Sequence, residues 1–267
     1  MKRRALIVGI SDYAPLVPDL QSSVFEMERW RDLLVDIYHF ADHDIRLLAD
    51  RRATRSAILD RLIWLLSDTH ADDELVFIFC GHGMRVRRRD SVGDLIDLQD
   101  EGIVAYPAGS ADPLDAVIFD DDLTTLYCSM AVALKALPTF VFDCCYSAGL
   151  DFSEAERVRK SIMLPADLAH RNRSTANVVR FGLEITKSAV THPLMIAASG
   201  EYDQAIEIVR DNQSRSLFSS LAIAALRTTP TLTYQELIAT ISPHMQFAGQ
   251  EPCLIGDAER LQQQFLK

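Results

Sequence analysis

The sequence lacks several things, and each shortage excludes a class of function. No stretch approaches the roughly 18 consecutive apolar residues that a membrane-spanning helix needs, so a soluble protein without a membrane partner is expected. The apolar run that follows Met1-Lys2-Arg3-Arg4 ends at Ser11-Asp12 with no small-residue cleavage site. It reads as a buried strand rather than a secretion signal. Only five cysteines occur, an odd number without framework spacing, which points to reduced thiols in a cytoplasmic protein. Basic charge is also short, 27 Lys and Arg against 38 Asp and Glu for a net charge of −11, which argues against nucleic-acid binding. There is no Gly-x-x-x-x-Gly-Lys-Ser/Thr phosphate cradle. Asp151 stands where a phosphatase loop around Cys145 would need arginine, and a serine nucleophile elbow at Ser147 lacks its first glycine. Cys80 with His82, and Cys144 with Cys145, do not have zinc-site spacing. Internal repeats and low-complexity tracts are absent.

What remains is an alternation of apolar strands and amphipathic helices over 267 residues, 48% of them hydrophobic, enough for one sizeable core. Ala5 to Ile10 is a first strand. Met27, Trp30, Leu34 and Ile37 recur at helical spacing through 22–38. Asp44 to Ala49 follows as a strand, then a helix capped by Thr54 through about Ser67, then a strand from Glu74 to Cys80. Ile103–Tyr106 and Ala116–Phe119 read as short extensions or a hairpin inside a long loop, ahead of a helix from about Asp122 to Ala136 and a strand from Thr139 to Asp143. Residues 150–188 carry Arg157, Arg159, Lys160 and Arg180 among few periodic apolar positions and read as a mobile linker. Leu194–Ala198 and Ala205–Val209 are further strands, Ser216–Arg227 is a helix, Thr233 with Glu236 is a capping box for a helix to about Gln246, and Pro252–Ile255 is a last strand. This order predicts an α/β fold with a mainly parallel sheet covered on both faces.

Two strands end abruptly in small and reactive residues: Phe77-Ile78-Phe79-Cys80-Gly81-His82-Gly83 and Phe140-Val141-Phe142-Asp143-Cys144-Cys145-Tyr146-Ser147-Ala148-Gly149. Reacting groups of open parallel sheets lie beyond the carboxyl ends of the strands, so neighbouring strands would bring His82 and a cysteine together there. A cysteine of ordinary pKa is only about 3% thiolate at pH 7, and His82 supplies the base it needs. The amides of Gly83 and Cys145 offer an oxyanion hole. Singly, His82 reads as well as a structural histidine and either cysteine as a small buried hydrophobe; together they suggest a cysteine–histidine hydrolase. Glu26, near the start of the first helix, reads on its own as a first-turn acid favoured by the helix dipole, worth about 0.3–1 kcal/mol. The acids between Asp90 and Asp122 read on their own as a solvated loop and a helix start.

The two motifs resemble those of the caspase-like cysteine proteases, and more closely the metacaspases and bacterial caspase-like members of the clan. Cys80-Gly81-His82-Gly83 is similar to the family's histidine motif and Asp143-Cys144-Cys145-Tyr146-Ser147 to its Asp-x-Cys-x-Ser motif. Ala197-Ala198-Ser199-Gly200-Glu201-Tyr202-Asp203-Gln204-Ala205 and Gly249-Gln250-Glu251-Pro252 resemble its later strand and tail. Tyr146 stands where the family commonly has histidine, and Ala148 where it has glycine. The resemblance implies one caspase-like domain, a central, mainly parallel six-stranded sheet with helices on both faces. Residues 1–149 would be its large-subunit-like half and 189–267 its small-subunit-like half. It implies Cys145 as nucleophile, His82 as base and acid, and an S1 pocket lined by Asp143, Glu26 and Cys80 that takes Arg or Lys of a protein or peptide substrate. No cofactor is required for such chemistry. Calcium is implied as a stimulating ion, with Asp97, Asp120, Asp121, Asp122 and Asp151 as its candidate ligands. Self-cleavage in the basic linker, control by a regulatory protein partner and a monomeric state are further family traits. A silent binding module of the same fold, or a protease with a non-basic P1 preference, are the alternatives.

Overall fold

A computed structural model of the chain describes residues 1–13, 18–89, 99–108, 112–131, 133–144, 158–159, 161–162, 170–172, 193–200, 205–210 and 212–266. In chain order the elements are strand β1 (Arg3–Gly9), helix α1 (Ser23–Asp36), β2 (Ile45–Ala49), α2 (Arg55–Leu66), β3 (Glu74–Cys80), β4 (Gly83–Arg89), β5 (Gln99–Val104), β6 (Val117–Phe119), α3 (Asp120–Ala131) and β7 (Thr139–Asp143). They continue with β8 (Val158–Arg159), β9 (Ser161–Ile162), β10 (His170–Asn172), β11 (Leu194–Ala197), β12 (Ile206–Arg210), β13 (Gln213–Ser216), α4 (Leu217–Thr228), α5 (Tyr234–Gln246), β14 (Cys253–Ile255) and α6 (Ala258–Leu261).

Among the described residues the central sheet has six strands in the order β14-β11-β7-β3-β1-β2, all parallel except β14, which runs antiparallel to β11. The expectation of a mainly parallel six-stranded sheet is borne out. Because strand side chains alternate between faces, each buried strand feeds two cores. Leu6, Val8, Phe77, Phe79, Phe140 and Phe142 pack with Ile58, Leu62 and Leu65 of α2 and with Leu123 and Tyr127 of α3. Ala5, Ile7, Val76, Ile78 and Val141 face the other way, onto Met27, Trp30, Leu33 and Leu34 of α1, Phe218 and Ile223 of α4, and Leu237 and Ile241 of α5.

Local signals set several of the helix ends. Thr54 Oγ1 caps α2 by accepting the Ala57 amide at 3.3 Å. Thr233 and Glu236 form the reciprocal capping box at the start of α5. Helix α3 stops at Ala131, earlier than the periodicity suggests. Beyond it Lys135 N donates to Thr69 Oγ1 at 2.8 Å, and Pro138 biases the residue before it away from helical geometry.

Several strands were not foreseen. Residues 83–89, rich in arginine, form β4, which pairs antiparallel with β5, as β5 does with β6, and β13 pairs antiparallel with β12. The short strands β8, β9 and β10 fall within 150–188: β8 pairs with β12, and β9 and β10 pair with β4.

Candidate active site

Strands β3 and β7 are neighbours, with Cys80 opposite Asp143. The Gly81 amide reaches across to the Asp143 carbonyl at 3.3 Å, so the motifs after both strands leave the sheet side by side at its carboxyl end. His82 is 1% exposed. Its Nε2 is 2.7 Å from the Pro18 carbonyl oxygen. A carbonyl only accepts, so Nε2 is the donor in this contact.

Tyr13 holds the other side of this histidine. The His82 amide donates to Tyr13 Oη at 2.9 Å, Tyr13 Oη donates to the Val104 carbonyl at 3.2 Å, and the two rings lie 4.8 Å apart, tilted by 55°. Burial pushes the Tyr13 phenol pKa well up, so it stays neutral. Gly81 is required by the same contact, since a Cβ there would lie 2.7 Å from Tyr13 Oη. The loop carrying Tyr13 and Pro18 is itself tied down: Ser11 and Asp12 amides donate to Asp50 Oδ1 at 2.8 and 2.9 Å, and the Tyr13 amide donates to Asp19 Oδ1 at 2.8 Å.

The three residues assigned to the S1 pocket meet on the α1 and α4 side of the sheet. Strand alternation turns Cys80 to that side, into the core with Val76 and Ile78. Asp143 is fully buried, and its Oδ2 accepts from Ser219 Oγ of α4 at 2.5 Å; Ser219 Oγ in turn accepts from Trp30 Nε1 of α1 at 2.8 Å. Glu26 is also fully buried. Its Oε1 accepts the amide of Ser216, the N-cap of α4, at 3.1 Å, and its Oε2 pairs with Arg29 Nη1 at 2.8 Å. Both carboxylates therefore sit near the N-terminus of α4, whose backbone dipole favours negative charge.

Cys144 is fully buried and packs into the core on the α2 and α3 side; its carbonyl accepts from Ser199 Oγ at 3.4 Å. Cys145 lies outside the described residues, as do Asp97 and Asp151. Gly83 opens β4, with Ile103 as its register partner in β5 and Ser161 in β9. Of the acids at the start of α3, Asp120 is half-buried and the side chain of Asp121 is not among those described. Asp122 is engaged: its Oδ2 accepts the Phe119 amide at 3.0 Å and pairs with Arg55 Nη2 at 3.0 Å. Among the described residues no group of three or more His, Cys, Asp or Glu converges on a metal position. The four described cysteines, Cys80, Cys128, Cys144 and Cys253, are in no disulfide.

Sequence reasoning missed the supporting residues. Tyr13 reads as part of an exit turn over Ser11–Pro15, and the backbone carbonyl of Pro18 leaves no mark in a sequence. Glu207 of β12 is buried and accepts the Gln21 amide at 3.1 Å, the Ser22 amide at 2.8 Å and the Ser22 hydroxyl, holding the start of α1. Gln250 bridges two strand ends, donating to the Ala198 carbonyl at 2.7 Å and accepting the Ile206 amide at 3.3 Å. Its place in the Gly249-Gln250-Glu251-Pro252 motif was the one available signal.

Comparison with known proteins shows the family and the fold. A family model described as "Metacaspase, peptidase C14 domain" matches residues 3–152, a span that holds both strand-end motifs. Metacaspase-1 of Schizosaccharomyces pombe is 32% identical over 163 residues, covering 55% of this chain and 34% of its own length. Metacaspase-8 of Arabidopsis thaliana is 27% identical over 183 residues, covering 62% of this chain and 42% of its own. The chain thus spans well under half the length of these relatives. The crystal structure of a Geobacter sulfurreducens protein superposes with a TM-score of 0.69 at 17% identity, covering 100% of this chain and 99% of that one, which shows a shared fold.

Proposed function

The chain belongs to the metacaspase family of C14 peptidases, and from that premise we propose that it is a cysteine endopeptidase that cleaves after arginine or lysine using Cys145 and His82. The observation that carries the reading is the placement of His82, buried and held at Nε2 by the Pro18 carbonyl, at the end of a strand that pairs with the strand leading to Cys145.

In this mechanism Nδ1 accepts the Cys145 thiol proton and the thiolate attacks the substrate carbonyl carbon. The oxyanion is received by the amides of Gly83 and Cys145. Collapse breaks the C–N bond, the imidazolium gives its proton to the leaving amine, and a thioester remains. Water, losing a proton to His82, then attacks the thioester and releases the new carboxylate and the thiol. Asp143 and Glu26 receive the P1 side chain with Cys80 on the wall, two buried carboxylates being suited to a guanidinium or ammonium.

Calcium stimulation and self-cleavage at basic residues of 150–188 are the finer parts of the proposal. Asp122, already paired with Arg55, is the weakest of the candidate ligands, so Asp97, Asp120, Asp121 and Asp151 carry the calcium reading. A panel of fluorogenic peptides ending in Arg, Lys or Asp, with and without calcium, tests the whole. Turnover of the Arg and Lys peptides is expected, lost in Cys145→Ala and kept in Cys144→Ala, with iodoacetamide labelling following the same pattern. No turnover of any peptide by folded protein would favour a binding module, and faster Asp-peptide cleavage would refute the basic preference.

A further inference from the structure

An unpaired carboxylate with no solvent exposure costs several kcal/mol and is normally neutralised or given a partner. Glu26 has such a partner in its own helix, one turn on. Arg29 is no loose surface cation: Nη1 donates to Glu26 Oε2 at 2.8 Å and to Ser220 Oγ at 3.2 Å, and its guanidinium lies 5.8 Å from the Phe25 ring centroid. Arg215 stacks on the same Phe25 ring at 3.9 Å. The Arg29 side chain is 27% exposed while Glu26 is wholly enclosed, so Arg29 extends from the carboxylate toward the surface.

We propose that Arg29 is a specificity-setting residue, an internal stand-in for the basic side chain of the substrate that must leave Glu26 before Glu26 can receive P1. The inference rests on the reading of Glu26 as an S1 acid. Its physical content is competition. The carboxylate holds one guanidinium through charge-assisted hydrogen bonding, an incoming guanidinium or ammonium gains only the difference between the two pairings, and apparent affinity for basic P1 residues is reduced by the cost of displacement. Arg29 touches Glu26 and acts on substrate through it.

The experiment compares peptides ending in arginine and in citrulline, its neutral isostere, on wild-type protein and on Arg29→Gln, Arg29→Lys and Glu26→Gln. Arg29→Gln is expected to lower KM for the arginine peptide by about fivefold, the size expected of one partly exposed ion pair, and to leave the citrulline peptide unmoved. A purely structural role for Arg29 would alter both peptides alike. Arg29→Lys keeps the charge and is expected to fall between the two; it also serves if the glutamine variant fails to fold. An unchanged or raised KM for arginine in both Arg29 variants, with Glu26→Gln weakening arginine binding, would overturn the inference while sparing the S1 reading. An arginine KM unaffected by Glu26→Gln would overturn the S1 reading, and the inference with it.

Discussion

At the scale of single residues, the site depends on groups that make no chemistry of their own. His82 is fixed by the Pro18 carbonyl at one ring nitrogen and by Tyr13 against its amide and ring face. Tyr13→Phe keeps the ring and removes only the hydroxyl, leaving the buried His82 N–H and Val104 C=O without it. Leaving such groups unsatisfied costs about 1–3 kcal/mol. The variant is therefore expected to melt earlier and to lose kcat with KM little changed; unaltered melting and turnover would show that the hydroxyl is incidental. None of this was legible in the sequence. His82 and the cysteine pair were, because Gly81, Gly83 and the run of small residues after Cys145 interrupt strands that composition alone makes obvious. The choice between Cys144 and Cys145 rested on resemblance, and the burial of Cys144 in the core now adds a physical reason to discount it as the nucleophile.

At the scale of elements, long apolar runs such as Glu74–Cys80 and Thr139–Asp143 were legible to the residue, whereas β4 was hidden. Its sequence carries Arg85, Arg87, Arg88 and Arg89 beside only two apolar residues, Met84 and Val86, and its register partners include Glu101 and Asp100 of β5. Tertiary pairing decides such a segment, and propensity does not. The start of the sheet has an electrostatic fastening of the same non-local kind. Asp73, just ahead of β3, accepts the Lys2 amide at 2.6 Å and the His70 amide at 2.9 Å, clamping β1 to β3. Burial alone would raise the Asp73 pKa, but these bonds outweigh it and hold the carboxyl below its usual range. A pKa lowered on folding stabilises the protein above the unfolded value of about 4, and that contribution is lost as pH falls through the folded value. Asp73→Asn is expected to lower the melting temperature at neutral pH, by about 2–4 °C for each kcal/mol lost, with the gap to wild type closing below about pH 4. Thermal melts across that range check it; a gap independent of pH would assign the loss to packing.

At the scale of the whole molecule, the two sides of the 150–188 span do not make separate bodies. Strand β11 comes from after it, yet inserts beside β7 in the central sheet. Ser219 and Ser216 of α4 bond Asp143 and Glu26 from before it, and Glu207 of β12 holds the start of α1 through Ser22. The candidate S1 acids belong to one half of the chain, and Ser216 and Ser219, which bond them, belong to the other. These contacts join the two sides of the span independently of the backbone between them. Protein nicked once between residues 150 and 188 is expected to elute at its original size on gel filtration and to show two bands only on a denaturing gel. Separation of the pieces under native conditions would refute this. A cut there would leave the pieces fastened as leaves already riveted together, since β11 is held beside β7 and α4 against Asp143 and Glu26 by contacts that do not pass through the broken peptide bond.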